Sequence, residues 1–167
     1  CGGFRKLGMG PDPDVPGYTA SGLVKPGKKV AHEMSLDDIN ETIDAYASDA
    51  EFCEELGFDG VEIHGAHGYL IDNFFWEGTN IRKDNYGGSI NKRSQFVSEI
   101  IQAIRANVSK EFKVGLRFSQ WKQQDYEAKI ANNVDELNQF ISELSKSSPD
   151  FFHTSMRRFW DTEFESS

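Results

Sequence analysis

Apolar residues recur at spacings of three and four in three stretches of the chain, a pattern typical of helices that pack on one face. The first helix is expected after Ser35, a favourable N-cap, and Gly57 is a natural stop. The second is expected after Ser89, and for the third Asn133 and Glu136 predict a capping box. The three stripes are Leu36, Ile39, Ile43, Tyr46, Ala50 and Cys53; Val97, Ile100, Ile101, Ile104 and Val108; and Val134, Leu137, Ile141 and Leu144.

Three short runs rich in β-branched and aromatic residues predict strands at 59–63, 113–118 and 150–155. Each run follows one of the three helices, and a further short helix is expected at 70–75. Alternation of helices and strands is typical of a parallel sheet with right-handed crossover connections. The sequence therefore predicts an α/β fold.

The predicted strands have one apolar face and one polar face. Because side chains alternate along a strand, Val61 and Ile63 share one face, whereas Glu62 and His64 share the other. The second strand separates two sets in the same way: Val114, Leu116 and Phe118 against Lys113, Gly115 and Arg117. An open doubly wound sheet is buried on both faces. The contrast therefore favours a TIM (β/α)8 barrel, in which helices cover the outside and the inner face leads to a polar site.

A complete barrel of this type needs about 250 residues, and the chain has 167. We expect residues 35–167 to form a single domain, a partial barrel of about three parallel strands with their helices, truncated at both ends. Residues 1–34 are punctuated by glycine and proline and predict a loop or lid segment with room for one hairpin. The chain begins with Cys1 rather than methionine, as expected for a piece of a longer protein.

Charge and composition limit the kinds of partner and the surroundings that we expect for the protein. Acidic residues outnumber basic ones by 27 to 18, the net charge is −9 and the basic residues are scattered, so a nucleic-acid surface is not expected. Apolar stretches are only a few residues long, so no membrane span is expected. The two cysteines, Cys1 and Cys53, do not indicate a disulfide framework, and they favour the cytoplasm.

Three side chains that can move or share protons follow the first strand: His64, His67 and Tyr69. Taken one by one, each is consistent with simple packing at a strand end. A metal site is a second interpretation, with a third ligand from Glu62, Asp72 or His153, although none stands in a recognised ligand motif. In a third interpretation the histidines donate to a substrate oxygen, and Tyr69, a phenol that stays protonated at neutral pH, delivers a proton.

Two further features carry charge. Arg117 shares the predicted inner face with His64, and we interpret it either as an ion-pair partner of Glu62 or as an anchor for an anionic ligand or reduced cofactor. The loop 80–93 leads through two glycines to a helix start, where an anion could bind. We favour instead a bracing role for this loop, through a charge network of Arg82, Asp84 and Arg93.

Two motifs follow one another in a specific order. The segment GFDGVEIHGAHGYLIDNFF at 57–75 is followed by TNIRKDNYGGSINKR at 79–93, and then by a strand that ends in arginine. This combination resembles the old yellow enzyme family of FMN-dependent ene-reductases. The resemblance is dense over 57–105, thinner to 119 and weak beyond.

The resemblance implies a TIM barrel that holds FMN non-covalently and is reduced by NAD(P)H. His64 and His67 would bind the carbonyl or nitro oxygen of the substrate, and Tyr69 would match the proton donor. Arg117, together with His64, would contact the flavin, where positive charge stabilises the reduced ring. The resemblance assigns no metal.

The expected function is the reduction of activated C=C bonds in α,β-unsaturated carbonyl or nitro compounds, by hydride transfer from flavin and proton donation from Tyr69. The expected partner is a small enone or nitro compound, and a homo-oligomer is left open. The alternative is a truncated, non-catalytic fragment that cannot hold FMN and self-associates through the open edges of its sheet.

Overall fold

The computed structural model of the protein describes residues 17–158 and 160–164. Within these residues the chain forms seven strands and four helices. The strands are β1 (Tyr18–Thr19), β2 (Leu23–Lys25), β3 (Lys28–Lys29), β4 (His32–Glu33), β5 (Gly60–His67), β6 (Lys113–Lys122) and β7 (Phe151–Thr154). The helices are α1 (Leu36–Glu55), α2 (Leu70–Phe75), α3 (Ile90–Asn107) and α4 (Val134–Ser145).

The central sheet is parallel, with the strand order β5-β6-β7. Its outer face is apolar and covered, since Ile63, Val114 and Leu116 are at most 3% exposed and belong to the main hydrophobic cluster. The predicted three parallel strands with their helices are therefore confirmed. Among the described residues the sheet stays open rather than closing into a complete barrel.

The helices supply most of the remaining core. In α3 the predicted stripe is buried, except that Val108 is only partly covered. Two stripe positions are wrong, because Leu36 is 54% exposed and Val134 is 53% exposed. Both are the first residue of their helix, so no preceding turn packs beside them. The α4 stripe also lacked Phe140, whose ring packs edge-on against Phe75 and Phe118.

The helix starts follow the cap residues. Ser35 caps α1 in a capping box with Asp38, and the Asn133 side chain accepts from the backbone N–H of Glu136. In the capping box predicted for α4, the Glu136 carboxylate would accept from the N–H of Asn133. It accepts instead from the N–H of Asn132, one residue before the cap. None of the helices in the described part of the chain is long and apolar enough to cross a membrane.

Strands β5 and β6 are longer than predicted. They extend to His67 and Lys122, so His64 and Arg117 lie inside their strands rather than at the ends. The pairing register shifts between Gly65 and His67. This irregularity interrupts the alternation of side chains that would otherwise mark the end of β5 as strand in the sequence.

Residues 17–34 form two small pairs of strands. Strands β2 and β3 make an antiparallel hairpin, which confirms the one expected in this region, and β1 pairs with β4. Asn73 ties the segment to α2, because its side chain accepts from Ala20 N–H and donates to the Leu23 carbonyl. Residues 1–16 of the predicted lid lie outside the described residues, and the division into lid and partial barrel stays a prediction.

Candidate active site

The inner face of the sheet carries a polar row across all three strands. His64, Arg117 and His153 are register partners on β5, β6 and β7. One row below, a Cβ built on Gly115 would lie 2.2 Å from the Phe151 ring, so only glycine leaves room for that ring. The predicted ion pair between Glu62 and Arg117 is wrong, since Glu62 Oε2 instead lies 2.7 Å from His153 Nδ1.

Residues 64–69, which we call the histidine turn, carry the chain from β5 into α2. His67 and Gly68 both have left-handed backbones, with φ of 64° and 80°. Three hydrogen bonds hold this uncommon conformation. His67 N–H donates to Ser119 Oγ at 2.9 Å, the His67 carbonyl accepts from Gln123 N at 3.3 Å, and Gly68 N–H donates to Asp72 Oδ2 at 2.6 Å.

A buried ion pair lies beneath the histidine turn. Lys122 Nζ is 2.7 Å from Asp72 Oδ1, and both side chains are completely buried. Burial raises the pKa of Asp72 to about 6, although Lys122 and the Gly68 N–H oppose the rise. Burial likewise lowers the pKa of Lys122, and Asp72 opposes that shift. The pair therefore fixes the turn at an electrostatic cost that the surrounding structure must offset.

The histidine turn brings together the three side chains that the sequence singled out. The His64 ring lies 5.2 Å from the His67 ring and 5.4 Å from the Tyr69 ring, both edge-on. The His67 ring also stacks on the Trp121 ring, with 4.5 Å between the ring centroids. Two imidazoles and a phenol thus share one surface on the inner side of the sheet.

Ser155, just after β7, links Arg117 to His67. Its hydroxyl is 2.7 Å from His67 Nε2 and accepts from Arg117 Nη2 at 3.2 Å. The Nε–H of Arg117 is buried and has no hydrogen-bond partner among the described residues. All four predicted site residues therefore lie in one cluster, and one of its donors has no acceptor within the described protein.

Both histidines are held in the neutral form at pH 7. The pKa of His67 is lowered to about 4, mainly by burial, with the neighbouring His64 and the charges of Arg117 and Lys122 acting in the same direction. Burial and Arg117 also lower the pKa of His64, against the opposing charge of Glu62. Each ring therefore carries a single N–H, so its tautomer decides which nitrogen donates.

Residues 80–88, which we call the brace loop, have a different role. Arg82 Nη1 donates to the carbonyls of Ala20 at 2.7 Å and Met34 at 2.6 Å, and its other nitrogens bind Asp84. The bracing role is confirmed, but Arg93 is not in that charge network. Its guanidinium instead donates to the backbone carbonyls of Phe75 and Gly88.

The metal interpretation finds no arrangement that supports it. Among the residues that the structure describes, no group of three or more His, Cys, Asp or Glu side chains is placed to hold a metal ion. Asp72 and His153, two of the suggested third ligands, are paired with Lys122 and Glu62.

Sequence reasoning missed four residues of this cluster: Asp72 as a support, Trp121, Lys122 and Ser155. A signal existed for Trp121, because continuing the alternation past Arg117 puts Ser119 and Trp121 on the same face. No sequence pattern marked the contact of Ser155 with His67, since the two are 88 residues apart.

A parallel sheet with helices on its outer face and two histidines, a tyrosine and an arginine on its inner face is the arrangement of a partial β/α barrel with a polar inner site. The family model described as "NADH:flavin oxidoreductase / NADH oxidase family" matches residues 10–162, and the chain belongs to this family. The old yellow enzyme resemblance is thereby confirmed.

A structural neighbour confirms the fold as part of such a barrel. The old yellow enzyme homologue from Zymomonas mobilis superposes with a TM-score of 0.72 at 28% identity, covering 84% of this chain and 42% of that one. A probable flavin mononucleotide-dependent alkene reductase of Leishmania infantum is 44% identical over 90 residues, 54% of this chain and 24% of that protein. A probable inactive dehydrogenase of Claviceps fusiformis is 35% identical over 141 residues, 84% of this chain and 37% of that protein. The chain thus spans less than half the length of each.

Proposed function

We propose that this chain is the central part of an FMN-dependent, NAD(P)H-reduced enzyme that reduces activated C=C bonds in α,β-unsaturated carbonyl or nitro compounds. The observation that carries the proposal is the inner-face cluster of His64, His67 and Tyr69 beside an arginine with an unused buried donor. Membership of a flavin oxidoreductase family supports the cofactor, and the name of the Leishmania relative supports the substrate class.

Arg117 fits a bound flavin. A buried N–H without an acceptor costs about 1–3 kcal/mol, and an acceptor on the polar edge of a flat ring would remove that cost. The guanidinium charge also suits a ring that becomes negative on reduction. We therefore assign Arg117 and the adjacent His64 to the cofactor. Bound FMN would accept hydride from NAD(P)H and supply it to the β-carbon of the substrate.

The two histidines would bind the substrate oxygen. Each is neutral at pH 7 and offers one N–H, and the rings lie close enough to donate to one atom. Donors aimed at a carbonyl or nitro oxygen stabilise the negative charge that develops there as the β-carbon gains hydride. His64 and His67 thus polarise the double bond.

Tyr69 would supply the proton. Its hydroxyl has no hydrogen-bond partner among the described residues, and its ring lies 5.4 Å from His64, beside the proposed oxygen site. A phenol that donates its proton to the α-carbon completes the reduction, because hydride at the β-carbon and a proton at the α-carbon saturate the double bond.

The test is an FMN titration of the 167-residue chain, followed by NADPH oxidation with 2-cyclohexenone. We expect retained flavin and enone-dependent turnover. Tyr69→Phe should keep flavin binding and lower enone reduction by about 100-fold or more, whereas Tyr46→Phe on α1 should change neither. Unchanged reduction in the Tyr69 variant would remove its acid role.

The open sheet favours a second candidate, a non-catalytic piece that cannot retain FMN and self-associates. Strands β5 and β7 are the outer strands of the described central sheet, and unpaired strand edges invite pairing with another chain. The same titration separates the candidates, because tight flavin binding with turnover contradicts the second. A colourless dimer by light scattering would support it.

A further inference from the structure

We propose that Ser155 is a positioning residue that keeps the proton of the neutral His67 ring on Nδ1, leaving Nε2 as an acceptor. The tautomer is a property of this chain alone. Its consequence, that Nδ1–H is the donor offered to the substrate oxygen, rests on the proposed function.

The Ser155 hydroxyl has two nitrogen neighbours. His67 Nε2 lies at 2.7 Å and Arg117 Nη2 at 3.2 Å. An arginine nitrogen can only donate, so the hydroxyl oxygen is the acceptor in that contact. The single hydroxyl hydrogen is then available to His67 Nε2, the other nitrogen within hydrogen-bond distance, and we take it as the donor in that contact. In this assignment the hydroxyl accepts from Arg117 and donates to His67.

A neutral His67 ring is required for Nε2 to accept. Burial and the charges of Arg117 and Lys122 disfavour the imidazolium form, with the neighbouring His64 acting in the same direction. The neutral ring has one protonated nitrogen, and the hydrogen bond at Nε2 leaves the proton on Nδ1. Nδ1 has no partner among the described residues and is therefore free to donate.

Ser155 is itself held in place by its backbone. Its N–H donates to the Phe118 carbonyl at 2.8 Å, and its carbonyl accepts from the Trp121 indole N–H at 3.1 Å. Trp121 in turn stacks on the His67 ring, at 4.5 Å between centroids. The serine and the ring are therefore fixed by the same indole, and the hydroxyl meets Nε2 rather than rotating into solvent.

The contact also separates the two histidines by role. No hydrogen bond fixes the His64 ring among the described residues, whereas His67 is fixed at one nitrogen and open at the other. A preset tautomer avoids the need to select one of two forms when an oxygen binds. Arg117 donates to the Ser155 hydroxyl and polarises it, and this hydroxyl sets the tautomer of His67. Ser155 therefore links Arg117, the proposed cofactor ligand, to His67.

The first test reads the tautomer directly. Long-range proton–nitrogen NMR spectra of the 15N-labelled chain at pH 7 distinguish protonated from bare ring nitrogens, with His67→Asn to assign the signals. We expect His67 to show Nδ1–H only. Ser155→Ala should give a mixture of tautomers, Ser155→Thr should restore the Nδ1–H form, and Ser145→Ala on α4 should change nothing. Protonated Nε2 in the unmodified chain, or an unchanged spectrum in Ser155→Ala, would overturn the proposal.

The second test reads the consequence in the flavin-loaded enzyme. Ser155→Ala should lower kcat/KM for 2-cyclohexenone about tenfold, because the preset donor is lost. FMN reduction by NADPH should be unchanged in this variant. Ser155→Thr should recover most of the lost kcat/KM. An altered tautomer with unchanged kcat/KM would overturn the assigned donor. If the unmodified enzyme reduces no enone, the proposed function fails, while the tautomer assignment is still decided by the spectra.

Discussion

The histidine turn and the brace loop are both polar, glycine-containing segments, yet they use their charged groups in opposite ways. Arg82 of the brace loop is 8% exposed, and all its nitrogens have partners within the protein. Arg117, beside the histidine turn, is partly exposed and keeps a buried Nε–H for which the described part of the chain offers no partner. Satisfied donors hold a fold together, whereas an unsatisfied one is available to a ligand.

The same difference extends to the neighbours of each segment. Asn80 of the brace loop donates to the carbonyls of Phe74 and Tyr86, both at 2.7 Å, so its amide is also fully used. In the histidine turn the ring nitrogens of His64, Nδ1 of His67 and the hydroxyl of Tyr69 stay free within the described residues. Residue type alone does not separate a site from a brace, but the use of hydrogen-bonding groups does.

The largest effect is expected from breaking the buried ion pair that supports the histidine turn. Lys122→Met leaves the Asp72 carboxylate completely buried and unpaired, which should lower the free energy of unfolding by about 3–5 kcal/mol. Because the pKa of Asp72 is raised above its ordinary value, the folded state holds the proton more firmly. The contribution of Asp72 to stability should therefore fall as the pH rises from about 4 to 6, and further in the variant than in the parent. Urea unfolding at pH 5 and 8 measures this.

The control for Lys122→Met is the double variant with Asp72→Asn. It removes the charge but keeps an oxygen for the Gly68 N–H. It should recover most of the stability and lose the part of the pH dependence that comes from Asp72. Equal losses in the single and double variants would mean that packing, rather than the unpaired charge, is the cause.

The two arginines give the sharpest contrast. Arg82→Met leaves the carbonyls of Ala20 and Met34 without their donor and should cost about 3 kcal/mol of stability. Arg117→Met should change stability by less than about 1 kcal/mol but weaken FMN binding about tenfold or more. Thermal unfolding and flavin titration of both variants measure the two quantities. A reversed pattern would contradict the distinction between brace and site.

Glycine substitutions compare the backbones of the two segments. Gly88 has φ of 93° with open space around a built Cβ, so Gly88→Ala should cost only the left-handed strain, about 1 kcal/mol. At Gly68, with φ of 80°, the Cβ would lie 1.9 Å from Gln124 Oε1 and displace that side chain. Gly68→Ala should therefore cost about 2 kcal/mol, measured by urea unfolding. Equal costs would show that the Gln124 contact contributes nothing.

The smallest expected effect is the titration of His67. Its pKa is lowered from about 6.5 to about 4 in the folded state, so the unfolded chain binds more protons between these values. The contribution of His67 to stability should therefore decrease as the pH falls from 6.5 to 4, by about 1 kcal/mol or less, because solvent still screens the ring. His67→Asn, which tolerates the left-handed backbone, should lose this slope. NMR titration of the ring measures the pKa itself, and a value near 6.5 would contradict the burial that sets it.

Much of this architecture was predictable because it depends on local chemistry. The period of three and four residues gave α1, α3 and α4, cap residues gave their starts, and alternation gave the two unlike faces of β5 and β6. The grouping of His64, His67 and Tyr69 was predictable too, since five residues of chain cannot separate them far. Loop 80–93 was expected to brace, and the partners of Arg82 bear this out.

The exceptions involve contacts between residues distant in the chain. The sequence suggested Arg117 as the ion-pair partner of Glu62, and only the folded sheet places His153 of β7 at 2.7 Å from the carboxylate. Asp72 reads as a free carboxylate until Lys122, 50 residues later, is placed beneath the turn. The extension of β5 to His67 likewise includes a register shift that no local pattern records.

The sequence by itself determined the alternating α/β order, the polar inner face and the family, because periodicity and motif order are carried by neighbouring residues. Tertiary structure decided which charged groups are paired within the protein and which keep donors available to a ligand. Arg82 and Arg117 are chemically identical, and their difference lies only in the acceptors that folding places around each. Ser155 shows the same dependence, since its hydroxyl reaches His67 only when β7 aligns beside β6.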